Sequence, residues 1–260
     1  MLKIAAWNVN SIKARLPKLT DWLAEAQPDV ALLQEIKTVD DGFPLMEIRA
    51  AGYEHCAVCG QKSYNGVAIL SRHPLTEVRR GLPGEPEDQQ ARYVEAVVDG
   101  RIRVASVYVP NGNPVDTEKF PYKLRWMENL RLHVQRLLTE SDMPLLVGGD
   151  YNVCPTDDDV YDPDGWSNDA LCRPESRAAF RALLWLGLTD TYRTLHPEPH
   201  RYTFWDYQQG AWQRDLGLRI DHLLLDGRAL DRVRACVIDK GPRGREKASD
   251  HTPIWAEIEV

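Results

Sequence analysis

The chain has 260 residues, 43% of them hydrophobic and 27% charged, which suits a soluble globule large enough for one sizeable core or two fused layers. No stretch approaches the roughly 18 uncharged apolar residues of a membrane span, so a membrane protein is not expected. The formal charge of −7 at face value argues against a polyanion partner, but local potential decides more than net charge.

Basic residues do gather, at Arg72, Arg79 and Arg80, at Arg101 and Arg103, and at Lys240, Arg243, Arg245 and Lys247. Acid gathers at EPED (85–88) and TDDD (156–159). A one-sided charge distribution and plain solvated surface charge both fit. The start MLKIAAWNVN lacks a basic region followed by a long apolar run, so no secretory signal and a cytoplasmic location are expected. The odd count of five cysteines agrees with reduced thiols. Cys56 and Cys59 form a CxxC, but no second Cys/His pair follows to close a structural zinc site.

In chain order, 2–9 reads as a strand, 17–27 as a helix with Leu19, Trp22, Leu23 and Ala26 on one stripe, and 29–35 as a strand apolar enough to be buried on both faces. Strands follow at 65–72, 92–99 and 102–110. A long helix is predicted over 121–141, with Pro121 at its start and Leu124, Met127, Leu130, Leu132, Val134, Leu137 and Leu138 on its apolar side. MPLLVGGDYNV returns to a strand, 175–187 is a helix stopped by Gly187, and 201–207, 217–226 and 252–260 read as strands. The least regular stretch, 155–174, reads as an ordered surface loop. Many strands with few helices suggest two packed sheets flanked by helices, in one domain over 1–260.

Several apolar strands finish on a polar residue that a core would not choose. Asn8 ends IAAW, Glu35 ends VALLQ, Tyr108 lies in ASVYVP, and Asp150 and Asn152 follow LLVGG. Asp221 sits inside LRIDHLLL, and Asp250 and His251 precede TPIWAEI. N-x-N at 8–10 and D-x-N at 150–152 echo one another, and residues two apart in extended backbone point to one side. A carboxylate in an apolar strand is costly unless it is paired or metal-bound. Glu35, Asp150 and Asp221 together suit a hard divalent cation, because magnesium takes oxygen ligands and often only one or two protein carboxylates. His251 adds a group whose charge changes near neutral pH, and Asp221 could fix its tautomer. The plainer alternatives are a turn for GGDYNV, a salt bridge from Asp221 to Arg219, and a surface turn around His251.

The strings WNVNSIKAR, LLQEIK, NGVAILSR, YVPNG, GGDYNVCPTD, FWDY, LRIDHLLL and SDHTPIWAEI occur in this order along essentially the whole chain. In them the sequence resembles the exodeoxyribonuclease III / apurinic-apyrimidinic endonuclease branch of the metal-dependent endonuclease/exonuclease/phosphatase superfamily. KFPYKLRWM and GLRIDHLLL are closer to the nucleases than to the inositol phosphatase or sphingomyelinase relatives. The resemblance implies a four-layer α/β-sandwich of two packed mixed β-sheets flanked by helices. It also implies a magnesium-dependent phosphodiesterase, with manganese as the alternative ion, acting as a monomer on double-stranded DNA. Abasic sites and blocked 3′ ends are the implied targets, through 3′-to-5′ exonuclease, abasic-site endonuclease and 3′-phosphatase or 3′-phosphodiesterase activities in base excision repair.

Residue by residue, the resemblance makes Glu35 the main metal carboxylate, with Asn8 and Asp250 close by and Asp150, Asn152 and His251 completing the metal set. It has Asp150 position or deprotonate the attacking water, Asn152 hold the phosphate or Asp150, and His251, paired with Asp221, contact the scissile phosphate. Tyr108 lies on the phosphate side. Asn10, Lys37, Arg92 and Lys119 grip the DNA backbone. Phe204, Trp205 and Leu218 form the wall of an abasic-sugar pocket with Trp212 nearby, although these aromatic residues also fit a plain core. The loop 159–174 is shorter than in the enteric type of the family, which bears on reach across a duplex. Two other readings stay open: a related phosphatase or phosphodiesterase on a small or lipid substrate, favoured by the −7 charge, and a non-catalytic nucleic-acid-binding protein on the same fold.

Overall fold

The computed structural model describes residues 1–260 and contains two six-stranded mixed sheets. The first runs in the order β11 (Val233–Ile238), β12 (Ile254–Ile258), β1 (Leu2–Asn8), β2 (Val30–Gln34), β4 (Val67–Ser71) and β3 (His55–Cys59). The second runs β5 (Leu75–Arg80), β6 (Tyr93–Val98), β7 (Ile102–Tyr108), β8 (Leu145–Asp150), β10 (Asp221–Asp226) and β9 (Leu188–Asp190). The helices are α1 (Ile12–Ala26), α2 (Leu45–Ala50), α3 (Lys119–Glu140), α4 (Pro163–Trp166), α5 (Pro174–Leu184), α6 (Thr191–Leu195) and α7 (Gly227–Leu230). None is long and apolar enough to cross a membrane.

Each sheet holds one parallel pair, β1 with β2 and β7 with β8. A parallel pair needs a crossover, and α1 and α3 supply the two. The sheets pack face to face over a core that includes Ile4, Ala6, Leu32, Ile69, Val94, Val104, Leu146 and Leu223. The outer face of the first sheet is covered through Ile12, Leu19, Trp22 and Leu23 of α1, and that of the second through Trp126, Met127, Leu130, Phe180 and Leu183 of α3 and α5. The result is the four-layer sandwich expected from the sequence. Burying a single such side chain is worth about 1.5–3 kcal/mol, so the layers are held by area and not by any one contact.

The carboxyl ends of both parallel pairs emerge at the same end of the sandwich, and β10 starts there in antiparallel register, Asp221 opposite Asp150. Gly148 and Gly149 let the sheets close at that end. A Cβ on Gly149 would stand 2.9 Å from Gln34 Nε2 of the first sheet and would also meet the Val107 carbonyl of its own sheet, and its φ of +145° is one that L side chains rarely adopt.

Local expectations needed correction in four places. Helix α1 begins at Ile12 and not Pro17, because Ser11 caps it; Pro17 is tolerated inside because it faces solvent, where water can satisfy the freed carbonyl. Helix α3 begins at Lys119, so Pro121 lies within its first turn, and Leu132 is exposed while Lys123 and His133 are buried. Residues 201–207 form no strand: Phe204 makes only isolated bridges to Leu218 and His251, and β10 starts at Asp221. TDDD is not all solvated acid, because Asp159 is fully buried.

Candidate active site

The polar strand ends do meet. Glu35 follows β2, Asn8 closes β1, Tyr108 closes β7, Asp150 closes β8, Asp221 opens β10, and His251 lies between β11 and β12. The amide nitrogen of Asn8 donates to Glu35 Oε1 at 2.9 Å and to Asp150 Oδ2 at 3.0 Å, which ties the two sheets together. The Tyr108 hydroxyl donates to the same Glu35 oxygen at 2.9 Å, and Lys37 Nζ pairs with Glu35 Oε2 at 2.7 Å. His251 Nδ1 lies 2.8 Å from Asp221 Oδ2, and its Nε2 lies 3.7 Å from Asp150 Oδ2. The backbone N–H of Asn152 donates to Asp150 Oδ1 at 2.9 Å.

Four residues at this site hold strained backbone. Asn10, Glu35, Lys37 and Asn152 all have φ between 44° and 52°, the left-handed region that side chains other than glycine usually avoid. Such conformations persist only where the surroundings over-determine them, and they cluster at functional sites.

The charges do not balance. Three carboxylates, Glu35, Asp150 and Asp221, face one lysine and one imidazole, all within a largely buried space. Burial pushes the Asp150 carboxyl up, against the pull of His251, and the Asp221 charge adds to the rise. Burial disfavours a charged His251, but Asp221 and Asp150 outweigh it and hold the imidazole well above its ordinary value. Burial also opposes ionisation of Glu35, yet the Asn8 hydrogen bond and then Lys37 bring its carboxyl below the usual value. Burial and the charges of Glu35 and Asp150 keep the Tyr108 hydroxyl protonated far beyond neutral pH.

Donor atoms of Glu35, Asp150 and His251 lie within 4.8 Å of one another, and Asp221 Oδ1 is buried without a partner. Clustered carboxylate oxygens short of positive charge fit a hard divalent cation such as Mg²⁺ or Mn²⁺. The rest of the metal set expected from the sequence does not converge on this cluster as ligands. Asn8 meets it through its amide nitrogen, while its oxygen accepts from the Asn10 backbone. The Asn152 side chain is engaged with the Val109 carbonyl and with Asn111. The Asp250 carboxylate accepts from Asn10 and Ser249.

Residues 5–251 match the model of the Endonuclease/Exonuclease/phosphatase family. The chain is 35% identical over 268 residues to exodeoxyribonuclease III of Haemophilus influenzae, covering 99% of this chain and 100% of the relative. The chain belongs to the exodeoxyribonuclease III / apurinic-apyrimidinic endonuclease family. Among solved structures, it superposes on the 3′ phosphatase NExo from Neisseria bound to a product DNA hairpin with a TM-score of 0.96 and 42% identity. It superposes on an AP endonuclease from Archaeoglobus fulgidus with a TM-score of 0.94 and 40% identity, and both matches cover the whole of each chain.

Around this family's metal cluster the expected backbone-gripping residues fall in two groups. Asn10 and Lys37 are in contact at 2.6 Å, and Arg92 stacks over the Tyr108 ring with its Cζ 4.7 Å from the centroid. Lys119 is exposed at the start of α3 and touches none of the cluster. Beside His251 lies a cavity of about 160 Å³ lined in part by Tyr161, Trp166, Phe204, Leu216 and Leu218. The Phe204 ring packs edge-on to His251 with centroids 5.0 Å apart. Trp205 is not part of that wall. It is fully buried against Tyr202 and Trp212, its indole N–H satisfied by Asp215, because an indole of that size is better housed in the loop's own small core. Trp212 likewise belongs to that packing, edge-on to Trp205. A larger groove of about 600 Å³ runs along β5, β6 and α3, remote from the chemistry, and its arginines and glutamates largely pair with one another.

Sequence reasoning missed Asn111, Lys123, Tyr161 and Trp166. Lys123 left a readable signal, a lysine on the apolar stripe Phe120, Met127, Leu130, Val134 of α3. Asn111 and Tyr161 lie in loops and Trp166 ends the single-turn helix α4, where spacing carries no such signal.

Proposed function

We propose that this protein is a divalent-metal-dependent DNA phosphodiesterase that breaks the bond between phosphorus and a 3′-oxygen. The observation that carries the reading is the convergence of Glu35, Asp150 and the Asp221–His251 pair from separate strand ends with more negative than positive charge. A divalent cation held by Glu35 and Asp150 would stabilise charge on the phosphate oxygens and on the departing 3′-oxygen.

The chain's own residues divide the remaining work. Asp221 holds His251 charged and oriented, with Nε2 facing the space beside Asp150, so its N–H can donate to a phosphate oxygen. Asp150, aimed by the Asn152 N–H, takes the proton of the attacking water. The water oxygen bonds to phosphorus, the bond from phosphorus to the 3′-oxygen breaks, and the released oxygen is protonated from solvent. Tyr108 remains a neutral hydrogen-bond donor on the same side. Lys37 and Arg92 place positive charge at this mouth despite the chain's net charge, which supports a nucleic-acid phosphate over a lipid or small substrate.

Exonuclease, 3′ phosphatase and AP endonuclease are the activities named for the similar proteins, and one such centre serves all three because each breaks a phosphorus–O3′ bond. The cavity at Phe204 and Leu218 suits a sugar that has lost its base and flips cheaply from the stack. The deciding assay compares three duplexes, with an abasic site, a 3′-phosphate and a plain 3′-hydroxyl, each with Mg²⁺ and with EDTA. Cleavage of at least one duplex only with metal is expected. Full activity in EDTA, or no cleavage of any duplex with metal, would overturn the reading.

A further inference from the structure

Lys123 lies on the buried face of α3 and has no solvent exposure. Its ammonium donates to three backbone carbonyls, Asn152 at 2.6 Å, Asn111 at 3.1 Å and Ala170 at 3.1 Å. A lysine has three N–H donors, and all are used on carbonyls and none on a carboxylate. Burying a charge without an ion partner is costly, and three fixed dipoles are an expensive way merely to fill space.

The three carbonyls belong to three separate segments: the loop after β7, the loop after β8, and the turn before α5. The first two are locked to each other as well, since Asn111 Nδ2 donates to Asn152 Oδ1 at 3.1 Å and Asn152 Nδ2 donates to the Val109 carbonyl at 2.9 Å. Asn152 holds a left-handed φ of 47°, and its N–H aims Asp150. The chain also makes room for the lysine stem. A Cβ on Gly112 would lie 2.7 Å from Lys123 Cδ.

We propose that Lys123 is a positioning residue, acting through Asn152 and Asn111 to hold the Asp150 carboxylate in its reacting orientation. The assignment rests on the phosphodiesterase reading above, and it places the anchor of the site on the helix behind it.

The test uses Lys123→Met, which keeps the apolar stem and removes the ammonium, and Gly112→Ala, which keeps the ammonium but crowds the lysine stem and strains the loop at a φ of +90°. Steady-state kinetics on the 3′-phosphate duplex are measured at saturating Mg²⁺, below the thermal midpoint of every variant, alongside amide hydrogen exchange. A misplaced catalytic group can cost about 10²-fold, so kcat of Lys123→Met should fall by about that factor with KM close to wild type. Gly112→Ala should change kcat in the same direction by less. Exchange should quicken at 109–113 and 151–154, while β1 and β2 keep wild-type protection. Wild-type kcat in a merely less stable Lys123→Met would make the lysine structural only and overturn the proposal. Should Lys123→Met fail to fold, Lys123→Gln, which can still donate to a carbonyl, is read by the same split: a kcat loss at unchanged KM supports the proposal and wild-type kcat overturns it. Wild-type protein that cleaves no duplex would sink the phosphodiesterase reading instead, and the exchange data would then decide the lysine: unchanged protection at 151–154 overturns it, and local loss there supports it.

Discussion

Strand β10 carries two buried charge clusters on its two faces, and they differ in one respect. Asp221 points into the candidate site, where three carboxylates form ion pairs only with Lys37 and His251. The next residue, His222, points the other way, toward Arg219, which donates to Asp159 at 2.7 Å and to Asp190 at 2.8 Å. Arg193 also pairs with Asp159, so two aspartates there meet two guanidinium groups. Asp159 and Arg219 are as deeply buried as Asp150 and Asp221. Burial of acid therefore does not mark a site. What separates the two clusters is the missing positive charge, and a cation is the simplest group to supply it.

The largest expected effect follows directly. EDTA should reduce cleavage to background and Mg²⁺ should restore it. A metal that binds only the folded state stabilises it, by about 2.7 kcal/mol at one hundred times its Kd. Thermal scans should therefore show Mg²⁺ raising the midpoint of wild type and of Asp159→Asn, but not of Glu35→Gln. An equal rise in Glu35→Gln would place the ion elsewhere.

Next in size is the balanced cluster. Asp159→Asn removes one partner and leaves guanidinium charge buried, which typically costs about 3–5 kcal/mol. Denaturant melts should show that loss, while cleavage by the protein that remains folded should stay at the wild-type rate. A loss of rate without a loss of stability would make Asp159 part of the site.

Asp150→Asn should do the reverse. Losing one well-placed electrostatic group costs about 10²–10³ in turnover, and here it also relieves excess negative charge. Single-turnover rates should fall by that factor while the melting midpoint, measured in EDTA, holds or rises. A marked loss of stability would mean that Asp150 is as well compensated as Asp159 and would end the contrast.

Much of this was legible in the residues. The core strands read clearly because apolar runs of β1, β2, β4, β7 and β8 are buried on both faces. Strands β3, β5 and β11 did not, because they lie at or beside sheet edges and are half solvated, as in LTEVRR, where no alternation survives. Asn8, Glu35, Asp150, Asp221 and His251 were readable as polar residues at the wrong end of apolar strands. The compensated cluster was not: Asp159 sits in a run of three aspartates, and only the fold reveals that Arg219 reaches it from 60 residues away. The missing charge at the site is a property of three-dimensional neighbours, so sequence could suggest a cation but could not exhibit the deficit. Left-handed φ values at Asn10, Glu35, Lys37 and Asn152 are equally silent in composition, since none is glycine.

The smallest expected effect is the most discriminating, because the two clusters shift stability with pH in opposite directions. Burial opposes ionisation of Asp159, but Arg219 and then Arg193 outweigh it and hold the carboxyl at about 2. An aspartate in the unfolded chain titrates near 3.9, so the depressed folded value is worth about 2–3 kcal/mol. That contribution is present above about pH 4 and is lost as pH falls through about 2. Asp150 runs the other way. Its folded value is raised by burial, so without metal its contribution is complete below the unfolded value and is lost as pH rises through the folded one. Denaturant midpoints in EDTA across the acid and neutral range should therefore separate the variants. Asp159→Asn should start lower near neutrality and show a shallower acid limb than wild type. Asp150→Asn should keep the wild-type acid limb and lose part of the decline toward neutral pH, because it no longer has a carboxyl to ionise in a buried, already negative space. If Asp150→Asn flattened the acid limb as much as Asp159→Asn does, both carboxylates would be stabilised by their surroundings alike, and the deficit that marks one cluster as a site would not exist.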